Sequence, residues 1–192
     1  MKSFQDNEVH IWLVNLQNNY PVNLSDSETK RSNELSNLKR KSNYVKLHSV
    51  LNTIIKKYHT DNKVYYTKSK KPFINGNINV SLSYTDDLAV IGVSRNNLGL
   101  DLEEKKSNLN TKKISTRLWP DLKKTTNFYY YWCMTEALTK YLDIGLFKSA
   151  FLINSGNNYN YQFKTFLYND KTYYLSVIND YFFSIKVLSY ID

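Results

Sequence analysis

Three carboxylates and a lysine, held in two short segments, could do chemistry on a phosphate ester. Asp101 and Glu103 sit two apart in Leu98-Gly-Leu-Asp-Leu-Glu103. Glu136 and Lys140 sit four apart in Phe128-Tyr-Tyr-Tyr-Trp-Cys-Met-Thr-Glu136-Ala-Leu-Thr-Lys140. Residues two apart on a strand point to one face, so Asp101 and Glu103 would converge, and a hard cation with oxygen ligands would relieve their repulsion. An isolated Asp-x-Glu is more often a solvated strand end. Glu136 and Lys140, in the favourable order for an i, i+4 pair, could be an ordinary surface pair worth about 0.2–0.5 kcal/mol. Against that, Tyr129, Tyr130, Trp132, Met134, Ala137, Leu138 and Leu142 leave this helix little solvent face. A carboxylate on it must find a partner, a metal or a raised pKa. Three acids, one lysine and a basic surface together suit a magnesium-dependent enzyme.

Other candidates carry less. Lys68, Lys70 and Lys71 precede Pro72-Phe73 and lead towards the acidic pair, a place for phosphate contact. His10, His48 and His59 have no metal-ligand spacing and read as packing or surface residues. Cys133 falls inside the helix pattern as a small hydrophobe, and Trp132 reads as packing. No Gly-rich phosphate loop is present.

The elements that must position these groups follow from periodicity. Residues 8–14 read as a first strand, and Ser25-Asp-Ser-Glu28 as a capping box. Apolar positions from Tyr44 to Tyr58 keep helical spacing, with Lys46, Lys56 and Lys57 on the other face. Strands are expected at 63–67, 78–84 and 88–94. Arg95-Asn-Asn97 is expected to turn the last of these into a hairpin with 98–103. Residues 104–123 are polar and loosely patterned, with Trp119-Pro120 as a stop. Thr125 or Thr126 would cap the Glu136 helix, and Gly145 would end it in the left-handed region. Strands at about 160–168, 171–178 and 181–190 close the chain.

The order predicts an α+β fold of two halves, residues 1–100 and 101–192, each a long helix on an antiparallel sheet.

Composition narrows the function classes. With 192 residues, 42% hydrophobic and 15% aromatic, the chain can bury a core and is not a disordered segment. The single cysteine rules out an intramolecular disulfide, so a reducing, cytoplasmic setting is expected. No apolar run approaches membrane-spanning length. The net charge is +9, with 14 basic and 8 acidic side chains in residues 1–100 and 12 and 9 in 101–192. Anionic partners are favoured: acidic protein surfaces, phosphorylated small molecules or nucleic acid. Nucleic acid is the weakest of these, because the basic residues are dispersed and the aromatics follow core periodicity.

Four segments in order resemble the motif series of the 4′-phosphopantetheinyl transferases of the larger, single-chain, surfactin-synthetase-activating type. They are Lys70-Lys71-Pro-Phe, Val80-Ser-Leu-Ser83, Leu98-Gly-Leu-Asp-Leu-Glu103 and Trp132-Cys-Met-Thr-Glu136-Ala-Leu-Thr-Lys140, and the resemblance covers roughly residues 44–146. The resemblance implies a pseudodimer of two similar halves with coenzyme A in the cleft between them. It implies that Asp101, Glu103 and Glu136 bind magnesium or manganese, and that Glu136 also helps deprotonate the serine of an acidic apo carrier protein. Lys140 would contact the phosphate under attack, Lys71 and Ser81 would contact coenzyme A, and Lys46 would hold the nucleotide phosphate. A monomer is expected. The pattern departs at Leu82, where the family has histidine, at Thr135, where it has lysine, and at Lys70, where it has glycine. Leu82 and Thr135 each delete a cationic contact worth roughly 1.5–3 kcal/mol. The expected function is an active but divergent transferase; the alternative is a degenerate member that binds coenzyme A or a carrier without turnover.

Overall fold

Strand β5 (Leu88–Ser94) is buried at every position, because apolar layers cover both its faces. Leu88 and Val90 join a core with Val9, Ile11, Leu98, Leu100 and Leu102. Ala89, Ile91 and Val93 join another with Leu47, Val50, Leu51 and Ile54. The computed structural model describes residues 4–58, 63–67, 71–76, 78–107, 109–120 and 127–190.

β5 belongs to a four-stranded sheet ordered β4 (Asn79–Tyr84), β5, β1 (Glu8–Asn15), β9 (Ser184–Ser189). β1 runs antiparallel to β5, with Ile11 opposite Gly92, and parallel to β9, with Ile11 opposite Val187. A three-stranded antiparallel sheet is ordered β6 (Leu98–Glu104), β8 (Lys171–Asn179), β7 (Tyr161–Tyr168). The leucines of β6 turn towards the first sheet. Gly92 lets the two sheets come close: a Cβ there would lie 2.9 Å from Leu98 Cδ2 and closer still to Leu100.

Each sheet carries a helix on its outer face. On the first lies α2 (Leu38–Ile54), extended by a 3-10 turn at Ile55–Tyr58 and preceded by α1 (Asp26–Asn33). On the second lies α4 (Phe128–Leu142), where Ala137 and Leu138 pack with Ile178. α3 (Thr111–Leu118) and α5 (Leu146–Asn154) flank α4 around Trp119, Phe128 and Ala150. A small hairpin, β2 (Val64–Tyr66) and β3 (Pro72–Ile74), adds Val64 and Ile74 to the α2 core. The expected α+β class is the class observed, in four layers: helix, sheet, sheet, helix.

Several local expectations are corrected. β5 and β6 are not a hairpin; the chain turns at Arg95–Asn97 to leave one sheet for the other, and β6 pairs with β8 instead. The last strand, expected in the second half, leaves its sequence neighbours to lie parallel beside β1, so the first sheet is mixed rather than antiparallel and draws a strand from residues 101–192. Thr125 and Thr126 fall outside the described residues, and Asn127 caps α4, its side chain accepting from the Tyr130 amide. α4 ends on Asp143 itself, in the left-handed region at φ 55°, while Gly145, at φ −75°, is the N-cap of α5. The Ser25–Glu28 capping box is present as read.

Candidate functional site

Gly99 brings the acidic strand and the Glu136 helix together. A Cβ at Gly99 would lie 2.6 Å from both the backbone nitrogen and the Cβ of Tyr141, and closer still to the carbonyl oxygen of Ala137. Only hydrogen lets α4 lie this near β6. The face of β6 that bears Asp101 and Glu103 is therefore roofed by a helix rather than open to water.

The result is a buried ionic cluster. Asp101, 4% exposed, accepts through Oδ1 from Lys140 Nζ at 2.8 Å and from Ser83 Oγ at 2.8 Å. Its Oδ2 is enclosed and makes no hydrogen bond with a described residue. Glu103 Oε1 accepts from Trp132 Nε1 at 2.8 Å. Burial, then the neighbouring charges of Asp101 and Glu136, push the Glu103 carboxyl up to about 7. Burial and Asp101 also raise Glu136, against the lowering effect of Lys140. Lys140 thus pairs with Asp101 across the helix–strand contact instead of forming the local pair with Glu136. Breaking such a pair from one side leaves an uncompensated buried charge, at roughly 3–5 kcal/mol.

Three acids against one lysine leave the cluster electronegative. All its donors are hard oxygens, one of them an orphan, so in chemical type and charge it fits a divalent cation such as magnesium. Among the described residues, however, no three His, Cys, Asp or Glu side chains are arranged to hold a metal ion as placed. The fit is one of charge and donor type.

Beside Lys140 opens a cavity of about 550 Å³, lined in part by Lys71, Ser81, Leu82, Arg31, Arg40 and Lys140. Such a volume is ordinary for a small-molecule site. Lys71 Nζ donates to Asn97 Oδ1 at 3.1 Å and to the Tyr141 carbonyl at 3.2 Å, and burial lowers its pKa. Ser81 is in the wall, but its hydroxyl accepts from the Leu100 amide at 3.1 Å and so ties β4 to β6. Lys46 does not line the cavity: its Nζ donates to the Leu16 carbonyl at 2.7 Å. Arg31 and Arg40 supply the cationic wall in its place. Lys68 and Lys70 lie outside the described residues. At the two departures from the family pattern, Leu82 adds aliphatic wall, and Thr135 is fully buried with its hydroxyl on the Tyr131 carbonyl. A lysine at 135 would have no room.

Tyr44 and His48, read from the sequence as packing or surface residues, and Tyr66, given no role there, are all in the cavity wall. Tyr44 and His48 are four apart on α2, which would have put them on one face; their rings stack 3.9 Å apart. Behind them Glu28 is enclosed. Burial alone would raise its carboxyl, but hydrogen bonds from His48, Tyr66, the Ser25 backbone and Asn52 win and hold it down at about 2. A lowered carboxylate contributes stability above its unfolded-state pKa and loses it as pH falls towards the folded value. From the ordinary 4.5 to about 2 the loss is about 3 kcal/mol. Urea unfolding at pH 6, 4 and 3 should show this fall, and Glu28→Gln should flatten it.

Cys133 is a free, fully buried thiol beside the Tyr174 carbonyl, and burial pushes its pKa up, as suits a packing residue. No described helix is long and apolar enough to cross a membrane. No protein-family model matches this chain, and no curated protein matches it either.

Proposed function

We propose that this protein is a 4′-phosphopantetheinyl transferase, moving phosphopantetheine from coenzyme A to a serine of an acidic apo carrier protein. One observation carries the reading. Asp101, Glu103, Glu136 and Lys140 come from distant segments, yet they gather where β6 meets α4, at the edge of a cation-lined cavity. The two sheet-and-helix units then count as the halves of a pseudodimer, with coenzyme A in the cleft between them. The enzyme would work in the cytoplasm as a monomer.

In this reading Lys71, Arg31 and Arg40 hold the anionic nucleotide end, and Lys140 faces the pyrophosphate. The carrier's serine oxygen forms a bond to the phosphorus bearing pantetheine. The phosphoanhydride bond breaks, and 3′,5′-adenosine bisphosphate leaves with its electron pair. Glu136, raised by burial and by Asp101, is suited to take the serine proton. A magnesium ion held by Asp101, Glu103 and Glu136 would neutralise pyrophosphate charge. Trp132 and Ser83 fix the acids, so little reorganisation is left to the moment of reaction.

The test is incubation with coenzyme A, magnesium and a panel of apo carrier proteins, read by intact-mass spectrometry. A phosphopantetheine adduct on the carrier serine is expected; none on any carrier refutes transfer. A second reading, a binder without turnover, is favoured by Leu82 and by the buried Thr135, which withdraw two cationic contacts. Calorimetric binding of coenzyme A with no adduct on any carrier would select it.

A further inference from the structure

Glu28 and His48 form a carboxylate–imidazole pair at the cavity that the chemistry above does not use. The Glu28 side chain is 0% exposed. It accepts from the Ser25 amide at 2.8 Å, Ser25 Oγ at 2.9 Å, Asn52 Nδ2 at 2.8 Å and Tyr66 OH at 2.6 Å. His48 Nδ1 lies 3.2 Å from Glu28 Oε1 and 2.7 Å from Tyr66 OH.

This network fixes the tautomer. A carboxylate only accepts, and Tyr66 has one proton, which goes to Glu28. His48 Nδ1 must therefore carry a hydrogen and donate it. Nε2 is the uncommitted nitrogen and makes no hydrogen bond with a described residue. Tyr44 stacked on the ring completes its fixation. With Nδ1 held by the enclosed carboxylate, the ring is fixed and Nε2 is the nitrogen left to meet a ligand in the cavity.

The cavity favours that anion. Arg40 and Lys71 line it beside Arg31 and Lys140, which are ion-paired with Glu34 and Asp101, and Asp143 is the one carboxylate among its described lining residues. The described residues give Arg40 no hydrogen bond or ion pair through its side chain. Leu82, on β4, lines the same cavity as His48, on α2.

We propose that His48, oriented by Glu28, contacts a phosphate-type anion of the cavity's ligand through Nε2, supplying from α2 an imidazole that β4 lacks at Leu82. Glu28 is a positioning residue. The inference rests on the transferase reading only for the ligand's identity as coenzyme A; the anion contact stands on the pair and the cationic wall.

The test is nitrogen-resolved NMR of the imidazoles during titration of the full chain with inorganic pyrophosphate and, separately, with coenzyme A. With three histidines in the chain, His48→Asn assigns the signal. The asparagine amide takes the place of Nδ1, keeps the donor to Glu28 and removes Nε2. The wild-type Nε2 signal should move on addition of pyrophosphate, and His48→Asn should bind both ligands about tenfold more weakly. In Glu28→Gln the Nε2 response should shrink and pyrophosphate affinity should fall severalfold, which a merely structural Glu28 would not cause. An Nε2 signal unmoved at saturating pyrophosphate overturns the proposal, and this arm needs no variant to fold. Movement with pyrophosphate but no binding of coenzyme A keeps the contact and removes the transferase reading. Transfer from coenzyme A with His48 silent does the reverse.

Discussion

Gly99→Ala is expected to cost about 3 kcal/mol of stability and, in a chain of this length, lower the melting temperature by roughly 10 °C. It should also reduce the proposed phosphopantetheinyl transfer about a hundredfold. The added methyl would meet the helix backbone at Ala137 and Tyr141, not the flexible end of a side chain. Backbone that carries α4 must then move away from β6. That motion stretches the 2.8 Å bond from Lys140 to Asp101 and the 2.8 Å bond from Trp132 to Glu103. A displacement of about 1 Å in such a site is worth about a hundredfold in rate. Gly145→Ala is the control: its φ is −75° and a Cβ there meets nothing within 4 Å, so transfer should be unchanged and stability should move by no more than about 1 kcal/mol through the α5 cap. Thermal unfolding and the carrier mass assay read both effects. Unaltered melting in Gly99→Ala would mean that the helix does not lie as close as described.

Glu136→Gln should separate function from stability. In its proposed role as base for a carrier serine, Glu136 would contribute roughly a hundred- to ten-thousandfold in rate. Its charge nevertheless works against the fold, since burial and Asp101 both disfavour it and it helps push Glu103 up to about 7. Glutamine keeps the volume and removes the repulsion. The variant should therefore melt at or above the wild-type temperature at pH 8 while transferring at no more than a hundredth of the rate. A fold strained for its chemistry behaves in this way. Full transfer by this variant would remove Glu136 from the chemistry; lost stability would mean that its charge is compensated by something other than Lys140.

Much of this architecture was legible because periodicity reports burial. β6 and α4 were readable almost to their ends, and both carry strong patterns, alternating leucines in one and an apolar helix in the other. α2 starts earlier than its apolar spacing, at Leu38, because Lys39, Arg40 and Lys41 precede the part that meets the sheet; the signal there was the cap at Asn37. α3 and α5 were missed. α3 is short and buries Leu118 alone; α5 does carry Leu146, Ala150 and Ile153 at helical spacing, but it follows α4 so closely that its start at Gly145 was taken for the end of α4. The β5–β6 turn misled because pairing depends on which sheet a strand joins, and local turn chemistry does not encode that. At the site, acids and Lys140 could be picked out by type and spacing. The partner of Lys140 could not, because Asp101 lies 39 positions away. Glu28 is the instructive case: its capping role is local and was readable. Its bonds to His48, Asn52 and Tyr66 reach 20, 24 and 38 residues along the chain, and only the folded molecule brings those together.

The parallel seat of β9 beside β1 bears on synthesis at the ribosome. Until Ser184 and its successors emerge, β1 keeps an open edge of unpaired amides and carbonyls, a template for mispairing with other chains. Fragments cut before that strand should be sticky, and a separately supplied tail peptide is the natural reagent to quench them.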